Sequence, residues 1–160
     1  MNQITHLNEH GQTHMVDVSD KSTTQRMAIA EGRVFFPPEI YQQIQQSHGQ
    51  TAKGTITEIA RIAGIMAAKN TAQIIPLCHP MMLEKCKLML EYQDDNCSLK
   101  IRAEVGITHK TGVEMEALTA VSAAALTVYD MTKALSHDIV IGEIRLVHKS
   151  GGKRLFNREN

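Results

Sequence analysis

The sequence predicts an α+β fold: an antiparallel sheet with helices packed on one of its faces. Three observations predict it. Two alternating segments, Cys86, Leu88, Leu90, Tyr92 and then Leu99, Ile101, Ala103, Val105, Ile107, flank Asp94-Asp-Asn96, the pattern of a β-hairpin buried on one side. Two stretches, 56–67 and 118–135, repeat apolar residues every three or four positions, the mark of amphipathic helices. The order along the chain is strand, helix in two pieces, strand, strand, helix, strand, without internal repeat or linker, which is the split βαβ of a ferredoxin-like fold.

Length and charge bound the problem. A chain of 160 residues is the size of one domain. Its 17 basic and 17 acidic residues balance, so no whole-molecule field selects nucleic acid or an anionic membrane, and an anionic ligand must be met by a local cluster. The cysteines, Cys78, Cys86 and Cys97, form no CxxC pair and are odd in number, which argues against a disulfide framework and fits a reducing cytosol. No apolar run approaches the roughly 20 residues of a membrane helix, and the first residues lack the pattern of a signal peptide. The expected location is the cytoplasm.

Residues 1–25 are polar and read as an N-terminal arm, with His14-Met-Val-Asp-Val18 as an apolar phrase able to pin it down. A single catalytic domain over 26–153 and a tail over 154–160 complete the expected organisation. The segment 26–36 mixes Ile29, Val34, Phe35 and Phe36 around Gly32 and predicts a strand irregular at the glycine, ended by Pro37-Pro38. A short helix follows over 38–47, with proline at its start, Ile40 and Ile44 on one stripe and Gly49 closing it. Thr55-Ile-Thr-Glu58 has the form of a capping box and opens a long helix that fades near Pro76.

After the hairpin, Thr111-Gly-Val-Glu114 has the form of a second capping box. The helix it opens carries Leu118, Val121, Ala125, Val128, Thr132 and Leu135 on one stripe. Alanines fill its other positions and let a second helix approach closely, within the subunit or across a boundary. The last strand, 139–147, changes parity at Gly142 as a bulge would cause.

Several groups are candidates for chemistry. Glu114 and Glu116 point about 200° apart on a helix, so they are not expected to form a carboxylate dyad on one face, and Glu114 also has a capping role open to it. Asp130 and Lys133, three apart near a helix end, read either as a surface ion pair or as a functional pair. Lys53, before a helix N-terminus, sits where the macrodipole disfavours its charge; it reads either as an exposed flexible side chain or as an acid–base group. Pro76-Leu-Cys-His-Pro80 presents His79 on restricted backbone, a ligand-binding candidate rather than a metal site. His6, His10 and His14 share a helical spacing, but Gly11 and polar neighbours argue against the helix that a metal site there needs. His148-Lys-Ser-Gly-Gly-Lys153 reads either as a solvated tail or as a backbone cradle for phosphate.

Taken in this order, the phrases Lys53-Gly54, Ala60-Arg-Ile-Ala-Gly-Ile65, Ile75-Pro-Leu-Cys-His-Pro80, Thr111-Gly-Val-Glu-Met-Glu-Ala-Leu-Thr119, Tyr129-Asp-Met131 and Lys149-Ser-Gly-Gly-Lys153 resemble the cyclic pyranopterin monophosphate synthase family, also called molybdenum cofactor biosynthesis protein C. The resemblance implies a phosphorus–oxygen lyase that converts a 3′,8-cyclised dihydro-GTP to cyclic pyranopterin monophosphate with loss of pyrophosphate. It implies Lys53, Asp130 and Lys133 as catalytic residues. Leu77, Cys78, His79, Glu114, Met115 and Glu116 would shape the substrate pocket, with Arg26, Lys69 and Lys149 toward the triphosphate or the purine-derived ring. No redox cofactor is implied, because an enzyme acting earlier in the pathway has already made the carbon–carbon bond, and no residue is assigned to a metal. The implied assembly is a homohexamer, a trimer of dimers with sites between subunits, in which Lys53 and the Asp130–Lys133 pair meet across a boundary. The residues beyond Lys153 depart from the family's usual tail.

Overall fold

The computed structural model describes residues 5–158; residues 1–4 of the expected arm and 159–160 of the expected tail lie outside the described residues. The elements are β1 (Thr24–Phe35), α1 (Pro38–Gln46), β2 (Gln50–Thr51), β3 (Gly54–Thr55), α2 (Ile56–Lys69), α3 (Thr71–Ile74), β4 (Lys85–Gln93), β5 (Ser98–His109), α4 (Glu114–Thr132), β6 (Val140–Ser150) and β7 (Phe156–Asn157). Five strands form one antiparallel sheet in the order β4-β5-β1-β6-β7, and β2 and β3 form a separate small ribbon.

The alternation read from the sequence decides which side is buried. Ala28, Ala30 and Val34 of β1 and Leu99, Ile101, Ala103 and Val105 of β5 are fully buried, and α4 lies across these two strands. Helix α2 packs on α4 and β4. Ala60, Gly64 and Ala68 of α2 are buried, as are Ala117, Ala120 and Ala124 of α4, so the alanine-rich face meets its partner helix within one chain. Val121, Ala125, Val128 and Thr132 are buried as the stripe predicts, whereas Leu135 lies past the helix end and is 39% exposed. The other face of the sheet is charged: the Glu31 carboxylate takes the Arg145 guanidinium at 2.8 Å and the Lys100 ammonium at 3.5 Å.

Neither capping box forms. Helix α2 begins where Thr55 predicts, yet the Thr55 hydroxyl makes no cap; it accepts the Gln50 side-chain amide at 2.8 Å, and Glu58 pairs with Arg61. Helix α4 begins only at Glu114, with Val113 at its N-cap and no side-chain cap. The physical reason is competition: Glu114 accepts a charge-assisted hydrogen bond from Lys149 on β6 at 2.8 Å, stronger than a bond to a neutral amide.

The irregularity expected on β1 lies where β6 crosses it, with a register shift between Glu31 and Arg33 beside Gly142. Strand β6 continues three residues past the expected end, to Ser150. There it gains a partner, because β7 pairs Phe156 with Lys149 and Asn157 with His148. Among the described residues, no helix is long and apolar enough to cross a membrane.

Candidate active site

Two groups of candidate residues form, at opposite ends of α4. The first surrounds the helix N-terminus. Leu77, Cys78, His79, Glu114, Met115, Glu116 and Lys149 line a cleft of about 400 Å³, closed on one side by Val16 and Val18 of the arm. The His79 imidazole Nε2 is 2.8 Å from the Val16 carbonyl oxygen, so the arm and the Pro76–Pro80 loop fix each other. Glu114 and Glu116 both line this cleft, in different settings: Glu114 is paired with Lys149 and Glu116 is buried. Because the cleft sits at the end of the helix, side chains of the first turn converge on it from both sides.

Local chemistry holds the two glutamates differently. Glu114 is ion-paired to Lys149, and Gly112 makes room for it: a Cβ there would collide with the Glu114 carboxylate. Glu116 is 3% exposed. Burial, together with the negative charge of Glu114 nearby, pushes its carboxyl up to about 7, against the opposing pull of its own backbone N–H. Burial and then Glu116 also push the Cys78 thiol up, which makes it a poor nucleophile. On its far side Glu116 borders a second cleft, of about 240 Å³, with Lys69, Asn70, Thr71 and Met81.

Continuous with the first cleft through Lys21, Thr111, Gly112, Glu114 and Lys149 is a cationic one of about 250 Å³. Arg26 lies in it, held by donating from Nε to the His109 carbonyl at 3.4 Å and from Nη2 to the Lys110 carbonyl at 3.1 Å. Lys110, Lys153 and Arg154 also line it.

The second group lies at the other end of α4. Asp130 accepts Lys53 Nζ on Oδ2 at 3.0 Å and Lys133 Nζ on Oδ1 at 2.7 Å. The hydrogen bond from Lys133, then that from Lys53, holds the Asp130 carboxyl below the usual carboxylate range, and Asp130 in turn pushes the Lys133 ammonium up. All three side chains are more than half exposed. This corrects the expectation that Lys53 meets the Asp130–Lys133 pair across a subunit boundary. The β2–β3 ribbon and the packing of α2 on α4 bring Lys53 to Asp130 within one chain. The dipole of α2 is there countered by a carboxylate.

The MoaC family profile matches residues 15–152 of the sequence. The chain belongs to the MoaC family. A protein named cyclic pyranopterin monophosphate synthase from Thermoanaerobacter sp. (strain X514) is 50% identical over 157 residues, 98% of this chain and 98% of its own. One of the same name from Lysinibacillus sphaericus (strain C3-41) is 53% identical over 155 residues, 96% of each chain. Another, from Xanthomonas axonopodis pv. citri (strain 306), is 50% identical over 152 residues, 95% of this chain and 92% of its own.

Within this MoaC-family chain, the residues singled out from sequence divide cleanly. Arg26, His79, Glu114, Met115, Glu116 and Lys149 share the continuous clefts at one end of α4, with Lys69 behind Glu116; Lys53, Asp130 and Lys133 share the other end. Sequence reasoning did not single out Lys21 or Arg154 as lining the cationic cleft. Both lie in segments without periodicity, and only the pairing of β7 with β6 and the docking of the arm bring them in. Among the described residues no three His, Cys, Asp or Glu side chains gather as a metal site.

Proposed function

We infer that this chain is a cyclic pyranopterin monophosphate synthase, a lyase of molybdenum cofactor biosynthesis that acts on 3′,8-cyclised dihydro-GTP and releases pyrophosphate. The observation that carries the reading is the continuity of a cationic cleft with a less charged pocket at one helix end, in a chain about 50% identical to synthases of that name. A nucleotide-derived triphosphate has this division: a ring to enclose and a polyanion to neutralise.

In this reading Leu77, Cys78, His79, Met115 and Glu116 enclose the ring, and Glu116, whose carboxyl is pushed up to about 7 and so is partly protonated at neutral pH, donates a hydrogen bond to it in its protonated form. Arg26 and Lys149 face the phosphates, and Lys69 supports Glu116 from the neighbouring cleft. Opening an imidazole ring and closing a pterin ring require repeated proton transfers, the task of Lys53 and Lys133. Asp130 binds one lysine on each carboxylate oxygen, so it sets their positions and keeps Lys133 a proton donor until substrate competes for the pair.

The two groups are separated by sixteen residues of α4, roughly 24 Å at 1.5 Å per residue, further than one substrate spans. A complete site therefore takes the cleft of one subunit and the lysines of another, and the expected assembly is a hexamer built as a trimer of dimers, working in the cytoplasm. We read the sheet order and the two helical crossovers as the split βαβ of a ferredoxin-like fold.

The alternative is a module that binds anions without turnover. Incubating the purified chain with the cyclised nucleotide distinguishes them: the pterin and pyrophosphate form, and Lys53→Ala or Lys133→Ala abolishes both while far-UV dichroism is unchanged. Full activity in either variant removes that lysine from the mechanism.

A further inference from the structure

We propose that Thr51 is a positioning residue for Lys53, its hydroxyl bracketing the turn that carries the lysine and so fixing where the ammonium can act. The proposal rests on the synthase reading for the part Lys53 takes in proton transfer. Asp130 alone does not fix that place. The Lys53–Asp130 pair is 3.0 Å long with side chains 63% and 51% exposed, and an ion pair so open to solvent is weak. Asp130 also divides its carboxylate between Lys53 and Lys133. Because a lysine carries its ammonium on a flexible four-carbon stem, the reach of the charge is set first by where the backbone holds the Cα.

The backbone at this turn is weakly held by itself. Ala52 and Lys53 connect the strands of the β2–β3 ribbon, which has two residue pairs, Gln50 with Thr55 and Thr51 with Gly54. A two-stranded ribbon of this length is marginal in water. Two-residue connections that match the twist of their strands need positive φ in the turn, and neither Ala52 nor Lys53 has it; the other turn types splay the strands. The positive φ lies instead at Gly54, at +119, a conformation that a side chain would strain.

The Thr51 hydroxyl supplies what the turn lacks. It accepts the Lys53 backbone N–H at 3.1 Å and donates to the Gly54 carbonyl at 2.9 Å. One side-chain oxygen thus grips both the residue that bears the ammonium and the glycine after it. The base of the ribbon is tied separately. The Ile56 N–H donates to Gly49 O at 2.9 Å, the Gly49 N–H donates to Ile44 O at 2.9 Å, and the Gln50 side-chain amide donates to Thr55 Oγ1 at 2.8 Å. These bonds fix the base of the ribbon to α1 and α2, and Thr51 holds its tip. Loss of the hydroxyl therefore frees the Lys53 Cα without unseating the ribbon, which is how a positioning residue differs from one that holds the fold.

Two readouts on the full-length protein test this: steady-state turnover of the cyclised nucleotide, and acetylation of Lys53 by acetic anhydride, measured by mass spectrometry against the exposed Lys87 of the same chain. Thr51→Val nearly keeps the side-chain shape and removes both hydrogen bonds. It is expected to lower kcat roughly ten- to a hundredfold, with KM within about twofold and the denaturation midpoint in place. Acetylation of Lys53 should become about two- to fivefold faster as its pair with Asp130 loosens. Thr51→Ser keeps the hydroxyl and should match the parent in every respect. Parent-like kcat or parent-like acetylation in Thr51→Val overturns the proposal. So does a loss of kcat that Thr51→Ser shares, or one that follows a fall in the denaturation midpoint. Faster acetylation in Thr51→Val and not in Thr51→Ser, with no turnover by the parent chain, supports the bracket and overturns the synthase reading instead.

Discussion

Replacing Glu116 by glutamine should stabilise the protein at alkaline pH and leave its stability in acid unchanged. The carboxyl is 3% exposed, lies near Glu114, and is pushed from the usual 4.5 up to about 7. In the unfolded chain it ionises near 4.5, so between 4.5 and 7 the native state holds more proton than the unfolded one. Stability therefore falls as pH rises through that window, and the loss is complete above it. The interval corresponds to about 3 kcal/mol. Glutamine keeps the shape and a hydrogen-bonding head without the charge. Urea denaturation of both proteins at pH 4.5, 6 and 8 should give equal stabilities at the lowest pH and a variant about 3 kcal/mol more stable at the highest. Parallel curves across the range would refute the claim that this carboxyl is buried at a cost when ionised.

Three other substitutions separate structure from function. Asp130→Asn, at a half-exposed ion pair, should leave the denaturation midpoint in place and cut turnover at least a hundredfold, because both lysines lose their anchor. Gly112→Ala drives a methyl into the Glu114 carboxylate; turnover should drop about tenfold or more with little change in melting temperature, and a fully active variant would show that the Glu114–Lys149 contact is dispensable. Ala124→Leu forces a large side chain between α4 and α2 and should cost about 1–3 kcal/mol in denaturant unfolding.

The hairpin of β4 and β5, the stripe of α4 and the bulge beside Gly142 were legible in the sequence, because each follows from the period of burial or from a parity break. The capping boxes were not. Thr55 and Glu114 have the right spacing, but each finds a better partner from another element, Gln50 and Lys149, and spacing alone carries no information about such rivals. That Glu114 and Glu116 line one cleft was not legible from helical angles, which describe a lateral face, whereas this cleft opens at the helix end. Lys53 was recognisable as unusual from its place before a helix, yet its pairing with Asp130 spans 77 positions and depends on how α2 lies on α4. Arg154 carried no signal at all, since only a two-residue strand brings it to the cleft.

The central claim, that a working site takes its cleft from one subunit and its lysines from another, is tested most directly by mixing two inactive variants. Lys133→Ala and His79→Ala are purified separately, combined under conditions that exchange subunits, and assayed for pterin formation, with mixed oligomers verified by mass. Each two-fold pair of unlike subunits then holds one intact site, so activity should return to about a quarter of the parent value. Verified mixed oligomers that remain inactive would contradict a shared site.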